Sequence, residues 1–123
     1  MLTDTHCHLD LDKFDADRQS VLERAGAAGV DRILIPALDL SSSRSVIHLA
    51  EGHSSLYAAV GFHPTDLEEF SEKNLAEVRG LAEHPRVVAV GEIGLDYYWV
   101  REKEKRALQH EAQLEQAARR WKR

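Results

Sequence analysis

Two histidines near the start of the chain have the spacing of a metal-binding pair. His6 and His8 lie in the stretch Asp4-Thr5-His6-Cys7-His8, directly after a short apolar beginning. On a strand, side chains two residues apart point to the same face, so Asp4, His6 and His8 are expected to line one surface. Cys7 then faces away and packs as a small apolar side chain. The alternative is two half-exposed histidines at a strand end that bind nothing.

Two further polar residues each follow an apolar run. His63 comes after residues 56–62, and Glu92 comes after residues 87–91. Because the carboxyl ends of parallel strands meet at one edge of a sheet or barrel, we expect both residues to lie near His6 and His8. Glu92 is predicted to be the third metal ligand and the catalytic carboxylate, able to bridge two ions. The alternative for Glu92 is an ion pair with a lysine.

The sequence suggests roles for the other polar residues near these motifs, and some of these roles have alternatives. His63 is predicted to contact the substrate, above all a phosphate, and the alternative is a packed loop histidine. Asp4 is predicted to support the ligand histidines. Asp96 has two interpretations of equal weight: it accepts a hydrogen bond from a ligand histidine, or it caps the turn that follows. The other histidines are predicted to lie on helices or at helix ends without binding metal: His48, His53, His84 and His110.

Composition bounds the class of protein. The 123 residues suffice for one domain, predicted to span residues 1–123, and 43% hydrophobic with 30% charged residues is typical of a globular protein. We find no apolar run long enough for a membrane span and no secretory signal, and the single cysteine fits a reducing compartment, so a cytoplasmic location without membrane association is expected. The net charge of −5 argues against non-specific duplex binding. Bound divalent ions could supply the positive charge that a phosphate substrate needs.

A strand followed by a helix is predicted four times along the chain. Strands are expected at 1–7, 32–38, in the run that ends at Phe62, and at 87–93. Helices are expected at 15–28 with Gly29 as C-terminal cap, at 41–52 with Ser41 to Ser43 as caps, from Ser71 to His84, and from about residue 101. The last helix is predicted to have an apolar face formed by Leu114, Ala117, Ala118 and Trp121.

Four strand-helix units predict an α/β fold, the first half of a TIM (β/α)8 barrel. A complete barrel takes about 250 residues. The barrel is therefore expected to be incomplete in this chain, with two unpaired strand edges that something must cover.

Three segments together resemble the TatD family of metal-dependent deoxyribonucleases. They are residues 4–10 (DTHCHLD), 59–64 (AVGFHP) and 91–98 (GEIGLDYY), in this order. The resemblance implies a TIM barrel of the metal-dependent hydrolase superfamily, with His6, His8 and Glu92 as metal ligands. It also implies hydrolysis of phosphodiester bonds in DNA with one or two divalent ions, Mg, Mn or Zn.

The resemblance also implies ligands that these 123 residues do not include, namely two histidines and an aspartate from the second half of the barrel. The leading interpretation is therefore the amino-terminal half of a TatD-like nuclease, whose activity as this chain alone is open. The partner that completes it is expected to be the remaining half-barrel or a second copy of the chain. The alternative is a non-catalytic fragment that binds metal or nucleotide. A hydrolase of cyclic amides is disfavoured, because Glu92 occupies the place of the modified lysine that bridges their metals.

Overall fold

Four parallel strands form one sheet in chain order, each followed by a helix. The computed structural model describes residues 1–99 and 102–118. The sheet order is β1-β2-β3-β4, and each neighbouring pair is parallel. This confirms the predicted α/β fold of four βα units. The strands are β1 (Leu2–Asp4), β2 (Val30–Pro36), β3 (Leu56–Val60) and β4 (Val87–Val90); the helices are α1 (Arg18–Ala27), α2 (Leu40–Gly52), α3 (Glu72–Leu81) and α4 (Lys103–Ala118), with a 3-10 turn at Asp12–Phe14.

The strands end earlier than the hydrophobic pattern predicts. β1 ends at Asp4 and β4 at Val90, so the predicted extensions to Cys7 and Ile93 are wrong. Beyond these ends the chain still bonds its neighbour, with Cys7 N donating to Leu34 O at 3.1 Å. The candidate site residues therefore lie on short irregular segments just past the strands, where the backbone is not restricted to strand geometry.

Local capping chemistry sets the starts of α2 and α3 and the end of α1. The carboxylate of Asp39 accepts a hydrogen bond from Ser42 N at 2.7 Å, and the Ser42 hydroxyl accepts one from Asp39 N at 2.8 Å. Asp39, not the serine run, is thus the N-cap of α2, and Ser42 completes a reciprocal capping box. The predicted caps at Gly29 and Ser71 are confirmed: Gly29 has φ +85 just after α1, and the Ser71 side chain accepts from Asn74 N.

The main core lies between the sheet and the helices. Ile35, Leu56 and Val60 of the sheet pack with Val46 and Ala50 of α2, all fully buried. Leu2 and Val88, on the two outer strands, are exposed instead. In the part of the chain that the structure describes, β1 and β4 each have a strand neighbour on one side only, so the sheet has two open edges. Among the described residues, no helix combines the length and hydropathy that a membrane span requires.

The prediction for α4 is wrong in which face is buried. Leu114 is 56% exposed and Ala117 is also exposed, while Gln109, Gln113 and Gln116 are buried. The side chain of Ala118 and the whole of Trp121 lie outside the described part. The helix periodicity is right, but α4 packs over the polar backbone of two loops, and glutamine amides suit that surface better than apolar side chains.

Candidate metal centre

The side chains of His6, His8 and Glu92 converge at the carboxyl edge of the sheet. His6 Nε2 lies 2.9 Å and His8 Nε2 3.2 Å from Glu92 Oε1, and the two ring nitrogens lie 3.2 Å apart. The three potential ligand atoms fall within 4.8 Å of one another. The structure thus brings together the three residues predicted as ligands, although they come from two segments 84 residues apart in sequence at their nearest, His8 and Glu92.

The donor set fits a divalent ion. Ligand atoms bonded to one ion at about 2.0–2.2 Å are separated by about 2.8–3.1 Å in octahedral and about 3.3–3.6 Å in tetrahedral geometry. The three separations of 2.9, 3.2 and 3.2 Å form a triangle of nearly this size. Two imidazole nitrogens and a carboxylate oxygen suit zinc or manganese.

His63 contacts the opposite oxygen of the same carboxylate. Its Nε2 lies 3.1 Å from Glu92 Oε2. A carboxylate oxygen accepts hydrogen bonds, so this contact places an Nε2–H toward Glu92, while Nδ1 lies 3.1 Å from Thr65 N and 2.6 Å from Thr65 Oγ1. His63 therefore presents a donor to the centre, which suits a bond to a phosphate oxygen.

Asp4 and Asp96 both bond backbone groups. Asp4 Oδ1 accepts from His6 N at 3.0 Å, so Asp4 fixes the main chain that carries a predicted ligand. Asp96 Oδ1 accepts from Tyr98 N at 2.7 Å and from Trp99 N at 2.8 Å. Of the two interpretations of Asp96, the turn cap is the one that these contacts support, and the predicted bond to a ligand histidine is not among the described contacts.

Cys7 does not belong to the cluster. It is a free, partly buried thiol that packs against the core. Burial, with a smaller contribution from the charge of Asp4, raises the pKa of the Cys7 thiol above its ordinary value of 9.0. A neutral thiol is a poor metal ligand, and this agrees with the predicted packing role. Among the described residues, the remaining histidines lie outside the group of potential ligands.

Three buried glutamines of α4, which the sequence reasoning missed, hold the loops that carry the site. Gln116 Oε1 accepts from Phe62 N at 2.8 Å, and the Phe62 carbonyl accepts from Gln116 Nε2 at 3.1 Å and from Gln113 Nε2 at 3.0 Å. Gln113 Oε1 accepts from Gly94 N at 3.0 Å, and Gln109 Nε2 donates to Pro64 O at 2.9 Å. The glutamine network thus ties the backbone on both sides of His63 to the loop after Glu92. The spacing of Gln109, Gln113 and Gln116 along one helix face was the available signal.

A close backbone approach joins the ends of β3 and β4. A Cβ atom on Gly61 would lie 2.9 Å from Gly91 O and 3.1 Å from Gln116 Oε1. The distance to the Gly91 carbonyl is too short for a side chain, so this position needs glycine. The contact brings the segments before His63 and Glu92 together.

Comparison with known proteins gives the family. The model of the family described as TatD related DNase matches residues 3–122. A protein named uncharacterized metal-dependent hydrolase YabD, from Bacillus subtilis, is 41% identical over 99 residues, which is 80% of this chain and 39% of that protein. A 3'-5' ssDNA/RNA exonuclease TatD from Cronobacter turicensis is 38% identical over 85 residues, 69% of this chain and 32% of that protein.

A solved structure agrees with the fold. The crystal structure of YJJV, a TatD homolog from Escherichia coli, superposes with a TM-score of 0.79 at 38% sequence identity and covers 94% of this chain and 46% of that chain. The chain thus spans less than half the length of each of these relatives. With its four βα units, its convergent candidate ligands and a family match over nearly its whole length, the chain belongs to the TatD related DNase family.

Proposed function

We propose that this chain provides a metal-binding half-site for hydrolysis of phosphodiester bonds, with DNA or a related phosphodiester as substrate. The observation that carries the proposal is the cluster of His6 Nε2, His8 Nε2 and Glu92 Oε1 within 4.8 Å. Membership of the family of DNases and the exonuclease named among the relatives support the substrate class.

Each polar residue has a role in this proposal. His6, His8 and Glu92 would hold one or two divalent ions, Mg, Mn or Zn, and Glu92 is the candidate for the bridging carboxylate. Such an ion supplies a Lewis acid that polarises a phosphoryl group. His63, whose Nε2 donates toward Glu92, would turn that donor to a phosphate oxygen of the substrate. Asp4 keeps His6 in place through its backbone bond, and Asp96 shapes the turn after Glu92.

We further propose that residues 1–123 act as one domain that needs a second half to close the barrel. The open edges of β1 and β4 and the exposed Leu2 and Val88 support this proposal. The second half is either the remaining half-barrel or a second copy of this chain, whose own His6, His8 and Glu92 would reach the same rim. We place the protein in the cytoplasm on the expectation that Cys7 stays a free thiol there.

Titration with manganese or zinc, followed by calorimetry, tests the ligand set. The matched pair of variants is His6→Ala and His48→Ala, because His48 is 91% exposed on α2 and belongs to no group of potential ligands. We expect His6→Ala to weaken metal binding at least tenfold and His48→Ala to leave it unchanged. Equal binding by both variants and the parent chain would refute the ligand assignment.

Hydrolysis and assembly are measured on the same samples. We expect manganese-dependent hydrolysis of bis(p-nitrophenyl) phosphate to require His6 and to be present only where the barrel is completed. Light scattering reports whether copies of the chain associate. A monomer that hydrolyses the diester as fast as an associated form would contradict the need for a second half. Identical background rates in the parent chain and His6→Ala would favour a non-catalytic binding fragment.

A further inference from the structure

The chain makes a tight turn directly after His63. Asp66 N donates to His63 O at 2.9 Å and closes a β-turn that has Pro64 and Thr65 at its central positions. Proline suits the first central position, because its ring presets φ there. The turn is also held from outside, since His63 N donates to Leu38 O at 2.7 Å and the glutamine network binds the Pro64 carbonyl. The backbone that carries the His63 side chain is therefore fixed.

The turn returns the side chain of Thr65 to the His63 ring. His63 Nδ1 lies 2.6 Å from Thr65 Oγ1 and 3.1 Å from Thr65 N. Thr65 Oγ1 lies 2.8 Å from Asp66 Oδ2, and this carboxylate oxygen is itself 3.3 Å from Nδ1. The hydroxyl either donates to Nδ1, or it donates to Asp66 Oδ2 and accepts from Nδ1–H. In both cases three groups of the turn surround one edge of the imidazole.

The opposite edge of the same ring faces the candidate metal centre. His63 Nε2 lies 3.1 Å from Glu92 Oε2. Because the imidazole ring is rigid and planar, contacts that fix Nδ1 also fix the direction in which Nε2 points. A histidine side chain without such contacts would exchange among several rotamers. The contacts at Nδ1 all come from residues 63–66, so they do not depend on what covers the open edges of the sheet.

We propose that Thr65 and Asp66 are positioning residues, which hold the His63 ring so that its Nε2–H faces the centre. Thr65 acts by contacting Nδ1, and Asp66 acts by fixing the Thr65 hydroxyl. The inference rests on the proposed function, because the group that these two residues aim is the donor assigned there to a substrate phosphate. A donor that is already aimed loses little conformational freedom when the phosphate binds.

Glu92 is the other group that could orient the ring, through its contact with Nε2. When a phosphate oxygen replaces Glu92 Oε2 as the acceptor, that contact is lost, whereas the contacts at Nδ1 remain. The turn is therefore the part of the structure that holds His63 both before and after a phosphate binds.

NMR of the His63 side chain measures its orientation without metal or substrate. The chain is isotope-labelled at its seven histidines, and the His63 signals are assigned by their absence from His63→Gln. Couplings across χ1 show whether the side chain keeps one rotamer or averages over several. The chemical shift of the ring nitrogen Nδ1 reports its contact with Thr65. EDTA is present in all samples.

Thr65→Val removes the hydroxyl and keeps the shape of the side chain, whereas Thr65→Ser keeps the hydroxyl. We expect Thr65→Val to average the χ1 couplings of His63 and to shift its Nδ1 signal, and Thr65→Ser to resemble the parent chain. Asp66→Ala should change both readouts in the same direction as Thr65→Val, because the group that fixes the hydroxyl is gone. The matched control is Thr3→Val, the same change at an exposed residue of β1, which does not adjoin β3. Circular dichroism verifies the fold of each variant.

Binding of inorganic phosphate to the manganese-loaded chain, measured by calorimetry, connects the orientation of the ring to the site. Thr65→Val is expected to weaken phosphate binding about 2- to 10-fold, and Thr65→Ser to recover most of it. The manganese affinity should be unchanged in both variants, because neither Thr65 nor His63 belongs to the group of potential ligands. A general disturbance of the centre would lower both affinities together.

The outcomes separate the positioning role from the proposed function. If the His63 couplings and ring shifts of Thr65→Val and Asp66→Ala match those of Thr3→Val, the positioning role is wrong. Equal weakening of manganese and phosphate binding in Thr65→Val also overturns it. If the couplings average as expected but the manganese-loaded parent chain binds no phosphate, the proposed role of His63 as a phosphate contact fails and the positioning role stands. If phosphate binds and His63→Gln weakens it while the couplings stay unchanged in Thr65→Val, the reverse holds.

Discussion

Replacing Gln116 with leucine tests whether α4 holds the His63 loop in place. The substitution keeps side-chain size nearly constant and removes both polar atoms. Gln116 Oε1 is the acceptor for Phe62 N at 2.8 Å, and Gln116 Nε2 is one of two donors to Phe62 O. Among the described contacts, Phe62 N has no other acceptor, so in Gln116→Leu a buried donor loses its partner, whereas the Phe62 carbonyl keeps Gln113.

The loss of one hydrogen-bond partner by Phe62 N sets the expected loss of stability. An unpaired buried N–H costs about 1–3 kcal/mol, which is the expected loss in the free energy of unfolding for Gln116→Leu. For a chain of this size that loss lowers Tm by roughly 3–15 °C. Gln113→Leu also leaves a donor without its partner, Gly94 N, but Gly94 is exposed and water can replace the amide, so we expect less than about 1 kcal/mol.

The double variant gives the sharper result. In Gln113→Leu/Gln116→Leu the Phe62 carbonyl loses both donors, although each single variant leaves it one. The double variant should therefore be less stable than the sum of the two single losses, by about 0.5–3 kcal/mol. Urea denaturation monitored by circular dichroism measures all four proteins.

A surface glutamine provides the control. Gln19 on α1 is exposed and its one donated bond among the described contacts is to Glu23, so Gln19→Leu should change stability by no more than about 0.5 kcal/mol. If Gln116→Leu is as stable as Gln19→Leu, or if the two α4 substitutions are simply additive, the glutamine network does not hold the loop as described. A second readout is the metal affinity, which should fall in Gln116→Leu if the network positions the site.

Two other substitutions test single contacts. Gly61→Ala should lower the free energy of unfolding, measured by urea denaturation, by about 1–3 kcal/mol, since the new Cβ would lie 2.9 Å from Gly91 O. The control is Gly26→Ala in α1, where nothing lies within 4 Å of the new Cβ, and it should stabilise by about 0.4–1 kcal/mol. Equal effects of the two substitutions would contradict the close approach. Asp39→Ala removes the N-cap of α2 and should cost about 0.5–2 kcal/mol, and thermal unfolding that matches the parent chain would show that the capping box contributes nothing.

The candidate ligands could be predicted from the sequence because each is a polar residue that directly follows an apolar run. His6, His8, His63 and Glu92 each follow a hydrophobic segment, and parallel strands place such ends at one edge. The predicted convergence of these side chains is observed, and the expected geometry was wrong in one respect. His6 and His8 lie beyond β1 and not on it, so strand alternation does not aim them; the Asp4 bond to His6 N and the Cys7 bond to β2 fix that segment.

The amino-acid pattern determined the α/β class, the order of the four units and the identity of the candidate ligands, because hydrophobic periodicity and residue chemistry are local properties. It did not determine which face of α4 is buried. Leu114 and Ala117 have the apolar periodicity, yet Gln113 and Gln116 face inward. Which face is buried depends on what lies opposite the helix, namely backbone N–H groups of Phe62 and Gly94 that bond the glutamine side chains. These groups reach their positions only when the strands pack together. Tertiary structure alone could therefore decide which side of the last helix supports the site.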